Sequence, residues 1–183
     1  MTRDGVRAVA LAAIMVVSMV AVGAGFAGSV AAQEAPAEGE VILLNQSDET
    51  VGSFDSIQAA VDDASEANDT IVVGPGTYDG NLTIDVEGLT IEGPNAGVAG
   101  DSDERGAEAV VSSDNSQEVS VTATGVTIDG LAFEFANKAI YSESGSSDSL
   151  YTNNRFEMVE GESSDAYAIR IEGDTSGTDV TDN

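Results

Sequence analysis

The sequence predicts an all-β fold: a solenoid of short strands stacked turn on turn, with one α-helix near its N-terminal end. Three observations predict the solenoid. Apolar runs such as Ile71-Val72-Val73 and Leu82-Thr83-Ile84 are only three to five residues long, and each ends at a glycine or a polar corner. Short strings also recur. Leu89–Gly93 (LTIEG) returns 37 residues on as Val126–Gly130 (VTIDG), Gly130–Phe133 returns 23 on as Asn153–Phe156, and Thr152–Asn154 returns 29 on as Thr181–Asn183. Periods of about 20–50 residues mark stacked repeats, and uneven spacing is what loops on one side of a coil produce. Finally, no helical pattern of about 10–15 residues separates the strands, which disfavours a doubly wound sheet with crossover helices.

Taken in order, the chain opens with Arg3 and Arg7, an uncharged stretch from Ala8 to Ala32, and small residues at its end. A basic start, an apolar middle and small residues at a cut site describe a secretory signal, so residues 1–32 are expected to be removed after Ala32. The competing reading is an uncleaved anchor, since about 20 apolar residues span a bilayer. Residues 33–40 read as a polar linker, and the domain as residues 41–183. Val41–Leu44 is an edge strand or the start of the fold, and Asn45–Ser53 a loop. Asp55 is expected to cap a helix over about residues 55–67, with Gln58 completing a capping box. Phe54, Ile57, Val61 and Ala64 form its apolar stripe, while Asp62, Asp63 and Glu66 face solvent. Gly74-Pro75-Gly76 is a tight turn. In the strands that follow, Thr83, Thr90, Thr127 and Asp129 alternate outward, while isoleucines and phenylalanines stack inside. Asn153 and Asn154 stand where a corner needs left-handed backbone, and asparagines there can ladder with neighbouring asparagines.

The stretch FDSIQAAVDDA, followed by DTIVVGPGTYDGNLTI and LTIEG, resembles the start of the right-handed parallel β-helix, or pectin-lyase-like, superfamily. That resemblance covers most of the chain after Ala32. It implies a right-handed parallel β-helix whose helix covers the open end of the coil. The C-terminal TDVTDN reads as the first half of a turn, so the chain is expected to stop mid-repeat, as a fragment of a longer solenoid. The superfamily mixes enzymes with non-enzymes, so the resemblance speaks for fold and not for activity.

Charge is the strongest compositional signal. The 183 residues include 33 acidic and six basic ones, a formal −27, with Lys138 the sole lysine. Nucleic acid is excluded as a partner, because its binding runs on Lys and Arg neutralising phosphates. Acid dispersed over the whole chain resembles the surface of secreted haloarchaeal proteins, and the self-repulsion implies a fold that needs molar salt. A disordered acidic chain is the alternative, against which the regular apolar strands argue.

Chemistry is sparse. No histidine or cysteine is present, which removes His-based triads, the usual zinc sites and disulfides. No phosphate loop with a lysine occurs. Esterases of the resembling superfamily carry a Gln-Asp-Thr-Leu segment and a later Asp-Phe-Ile-Phe-Gly segment with a following arginine. This chain has neither, and Arg105, Arg155 and Arg170 lack that context. Asp101, Asp103 and Glu104 could bind calcium in a loop or simply be a solvated acidic loop. Sugar rings stack on aromatic faces, which brings in Tyr78, Tyr141, Tyr151 and Tyr167, although Tyr78 and Tyr151 sit where packing is expected. Asn45, Asn68 and Asn81 each open an N-x-S/T acceptor for glycosylation. The expected protein is therefore secreted, possessing no catalytic, cofactor-binding or metal residues: a salt-adapted structural or carbohydrate-contacting module at the cell surface. Polysaccharide or surface glycans are its expected partners, with no membrane after cleavage. The alternatives are the N-terminal fragment of a polysaccharide lyase or pectin-esterase-like enzyme whose active site lies downstream, and a maturation or adhesion factor of the same fold.

Overall fold

The computed structural model describes residues 35–65, 67–112, 119–159, 166–173 and 175–183. The expected signal segment, its cut after Ala32 and Glu66 lie outside them. The elements are β1 Val41–Leu44, β2 Thr50–Phe54, α1 Ile57–Asp63, β3 Thr70–Val73, β4 Gly76–Asp79, β5 Leu82–Ile84, β6 Thr90–Glu92, β7 Ala109–Ser112, β8 Val119–Val121, β9 Thr127–Asp129, β10 Ala132–Phe135, β11 Lys138–Ser142, β12 Leu150–Thr152, β13 Arg155–Met158, β14 Tyr167–Ile171 and β15 Asp179–Thr181. Among the described residues the chain is thus strand-rich with one short helix, as expected for an all-β protein.

Three sheets form. Sheet I has the order β15-β12-β9-β6-β3-β1-β2, sheet II the order β13-β10-β7-β4, and sheet III the order β14-β11-β8-β5. From β4 onward the described strands visit sheets II, III and I in fixed rotation through four circuits, so each strand lies beside the strand three earlier. Those pairings are parallel. The repeats read from the sequence coincide with them. Ile91 lies opposite Ile128, Phe133 opposite Phe156, and Thr152 opposite Thr181.

Strands of three to five residues bury too little apolar surface to be stable singly, but in register their inward side chains make continuous rows. One row runs Ile71, Ile91, Ile128, Tyr151; another runs Tyr78, Val111, Phe133, Phe156. The Phe133 and Phe156 rings stack at 5.2 Å and 11°, and Phe135 meets Phe156 edge-on at 6.4 Å. Full burial of such a side chain contributes about 1.5–3 kcal/mol. Inside the third circuit the row turns polar. The Tyr151 hydroxyl, wholly buried, donates to Ser142 Oγ at 2.9 Å, and Ser142 Oγ lies 2.8 Å from Ser146 Oγ. Burial raises the Tyr151 phenol above its ordinary range, which keeps it a neutral donor.

The corners repeat as well. Gly88, Gly125, Asp148 and Gly177 have left-handed φ of 70°, 70°, 56° and 81°, and at another corner Gly130, Asn153 and Asp182 have 73°, 54° and 53°. Non-glycine positions there are Asn or Asp, the side chains that tolerate this region best. The expected asparagine ladder is present. Asn154 Oδ1 accepts from Leu131 N, its Nδ2 donates to Ile128 O, and the same Nδ2 lies 3.1 Å from Asn183 Oδ1. One circuit on, Asn183 accepts from Asn154 N and donates to Tyr151 O, repeating the pattern.

The N-terminal region departs from expectation in three places. Val41–Leu44 is the first of the described strands, one of its two expected readings, but it is not at an edge: β1 lies between β2 and β3, antiparallel to both. The expected loop at Asn45–Ser53 holds most of β2, a strand hidden by its polar, exposed composition. Asn45 Oδ1 accepts from Ser47 N and Glu49 N and so closes the hairpin. The helix cap is Ser56, not Asp55: its hydroxyl accepts from Ala59 N at 3.2 Å. Gln58 does not close a capping box, because its amide is taken by Thr83 N and Asp62. That bond ties α1 to β5. The helix ends at Asp63, short of the 55–67 span, with acidic Asp62 and Asp63 at its C-terminal end, where the helix dipole disfavours negative charge. Ile57, Ala60 and Val61 are buried. Residues 37–40 lie against the Gly74-Pro75-Gly76 corner: Gly74 N donates to Glu40 O, and Gly39 N donates to Pro75 O.

Candidate functional site

Among the described residues two places collect unusual chemistry, both through strand register. The first is the outward face of sheet III. Lys138 pairs with Tyr167 across β11 and β14, and Tyr141 pairs with Arg170. The Lys138 ammonium sits 4.7 Å from the Tyr141 ring centre. The Arg170 guanidinium lies 5.6 Å from the same ring and 5.8 Å from that of Tyr167. Contacts of this kind contribute about 0.5–1 kcal/mol at exposed sites. Carboxylates complete the cluster. Glu172 accepts from the Tyr141 hydroxyl and pairs with Arg170, while Glu143 accepts from Ser120 Oγ at 2.5 Å. The donated bond raises the Tyr141 phenol and holds the Glu172 carboxyl low. Tyr167 is 44% exposed. The face sets aromatic rings, cations and acceptors side by side.

The second place is on the outward side of sheet I. Register sets Glu92 opposite Asp129. Partial burial, then Asp129, then Asp48 of the β1–β2 loop push the Glu92 carboxyl up. Asp129 Oδ1 accepts from Gly97 N and Asn153 Nδ2. A carboxyl whose folded value is raised favours the fold while protonated, and that contribution fades as pH rises through the raised value. Glu92→Gln is therefore expected to gain stability over the parent at pH 7 and to gain little near pH 4, the ordinary glutamate range. Urea melts at the two pH values check this; equal differences at both would contradict it.

The remaining cations are structural or shallow. Arg105 is buried and bonded to Glu108. Arg155 lines a depression of about 130 Å³ with Glu108, Val110, Ala132, Phe133, Glu134 and Glu157.

The structure separates the four tyrosines: Tyr78 and Tyr151 are buried, Tyr141 is half-buried and Tyr167 exposed. Asp62, Asp63, Asp101, Asp103 and Glu104 are exposed, and among the described residues no group of three Asp or Glu is placed to hold a metal. Asn68 and Asn81 are exposed with left-handed φ of 69° and 60°. Asn45 is half-buried, with its Nδ2 donating to Glu49 at 3.3 Å. Among the described residues no helix is long and apolar enough to cross a membrane.

Sequence reading missed Lys138 and Arg170. The signal was there, because the 29-residue shift that sets Thr152 on Thr181 also sets Lys138 on Tyr167 and Tyr141 on Arg170. No family model, curated protein or solved structure matches this chain.

Proposed function

We propose that the chain is a right-handed parallel β-helix of the pectin-lyase-like kind, exported and salt-adapted, acting without catalysis as a scaffold that contacts carbohydrate. The three-sheet rotation supports the coil, and parallel crossovers are right-handed in about 98% of cases. The observation that carries the function is the sheet III face. The described residues hold four cations, Arg105, Lys138, Arg155 and Arg170, and two of these four meet there around the two tyrosines that reach solvent. The N-terminal signal pattern and the net charge of −27 support export and high-salt adaptation.

Affinity electrophoresis through soluble polysaccharides tests this reading. Retardation is expected for the parent protein, with Tyr167→Ala weakening it about tenfold, as loss of one aromatic anchor does. Equal mobility of the two in every glycan would contradict the role given to this face.

A second reading rests on the Glu92–Asp129 pair. Adjacent carboxyls with one pushed up are a common acid–base arrangement. It would make this chain part of a polysaccharide lyase or pectin-esterase-like enzyme. Release of unsaturated or demethylated uronates from pectin, abolished by Glu92→Gln, would favour that reading.

A further inference from the structure

Residues 93–108 join β6 to β7, yet they do not stay between those circuits. They run along one corner of the molecule and touch the three circuits that follow. Gly97 N donates to Asp129 Oδ1 at 3.1 Å, at the end of β9. Arg105 Nη1 donates to Asn153 O at 2.6 Å, and its Nη2 lies 3.3 Å from Leu131 O. Gly100 N donates to Asp182 O at 2.8 Å, beyond β15. The approach is close at two points: a Cβ on Gly100 would lie 2.1 Å from Asn154 O, and one on Gly130 would lie 2.1 Å from Ala96 N.

The segment is braced against itself. Asn95 is buried, accepts from Gly106 N at 2.7 Å, and donates to Ala107 O and to Glu108 Oε2. Arg105 meets Glu108 through Nε at 2.8 Å and Nη2 at 2.9 Å, and Nη1 also reaches Val98 O at 2.9 Å. The Arg105 side chain is only 4% exposed. A buried guanidinium must have its donors satisfied, and here one carboxylate and backbone carbonyls from the segment and two later corners do so. A lysine has one nitrogen and cannot reach this set together.

We propose that residues 93–108 are a strap coupling the circuits, with Arg105 as its buckle. Opening the buckle frees the last two circuits, β10–β12 and β13–β15, without loosening β1, β3 and β6. The bonded carbonyls lie on the later corners, whereas α1 and the β1–β3 pairing secure the early strands independently. In stacked repeats each circuit is held mainly by its neighbours, so such units open separately unless something spans them. The Lys138, Tyr141, Tyr167 and Arg170 face lies on β11 and β14, within the strapped circuits, so the strap also governs the order of that surface.

Hydrogen exchange of the whole chain, read peptide by peptide, tests the coupling. In Arg105→Lys, amides of β12, β13 and β15 are expected to exchange about tenfold faster than in the parent, with β1, β3 and β6 unchanged. Uniform acceleration, or no acceleration, would overturn the proposal. Should Arg105→Lys fail to fold, Glu108→Gln, which keeps the guanidinium and weakens its anchor, is read by the same comparison with the same two contrary outcomes.

Discussion

Asn154→Ala is expected to destabilise the protein by about 2–4 kcal/mol, because it strands a buried backbone N–H and removes a bond from a buried carbonyl. The Asn154 side chain is fully buried. Its loss leaves Leu131 N–H without an acceptor and takes from Ile128 C=O, which also accepts within the β9–β12 ladder, the amide that donates to it at 2.9 Å. The stranded N–H costs about 1–3 kcal/mol, and loss of a second bond at a carbonyl that keeps its ladder partner about 1 kcal/mol. The isosteric Asn154→Asp separates shape from chemistry. It keeps the acceptor for Leu131 N but turns an oxygen toward Ile128 O and Asn183 Oδ1, and it buries a charge. It should cost at least as much as alanine at neutral pH. Urea unfolding with an unchanged denaturant slope is the measurement, and a loss below about 1 kcal/mol for both variants would show that the ladder is dispensable.

Gly130→Ala is expected to cost about 4 kcal/mol, while Gly125→Ala costs about 1–2 kcal/mol, although both glycines are left-handed. Their φ angles are 73° and 70°, so backbone strain is nearly the same. Space is not. A Cβ at Gly130 would lie 2.1 Å from Ala96 N and 2.3 Å from Asn95 C, backbone atoms of the strap that cannot swing aside. At Gly125 the nearest neighbour is Gly88 Cα at 3.5 Å, an ordinary contact. Thermal or urea melts of the two variants side by side measure the difference. Equal losses would mean that the strap does not press on this corner.

The parts legible in the sequence were those that repeat locally. The LTIEG and VTIDG strings carry their own strand, corner and alternation, so aligning them reproduced the pairing of β6 with β9. The recurring phenylalanine and the Asn153-Asn154 corner were readable for the same reason. β2 was not, because Thr50-Val51-Gly52-Ser53-Phe54 has one side exposed and no apolar run, and its partner β1 determines it. The strap was illegible for a deeper reason. Pro94, Asn95, Gly97, Gly100 and Arg105 carry no periodicity, and their partners lie up to 82 residues away, as Gly100 does from Asp182. The sheet III face lay between these cases. Tyr141 and Tyr167 were visible as aromatics, but Lys138 and Arg170 gained meaning only when the 29-residue register was carried from β12 and β15 to β11 and β14.

Disulfide trapping tests the stacking most directly, in a chain with no cysteine of its own. Thr90 lies opposite Thr127, and Thr127 opposite Leu150, on successive strands of sheet I. Neighbouring strands are about 4.8 Å apart, within the span a disulfide closes, whereas strands two apart are about 9.6 Å apart and beyond it. Paired Thr90→Cys and Thr127→Cys substitutions should oxidise within one molecule, as should Thr127→Cys with Leu150→Cys, while Thr90→Cys with Leu150→Cys should stay reduced. A reduced first pair, or an oxidised third, would contradict strands stacked three apart in sequence.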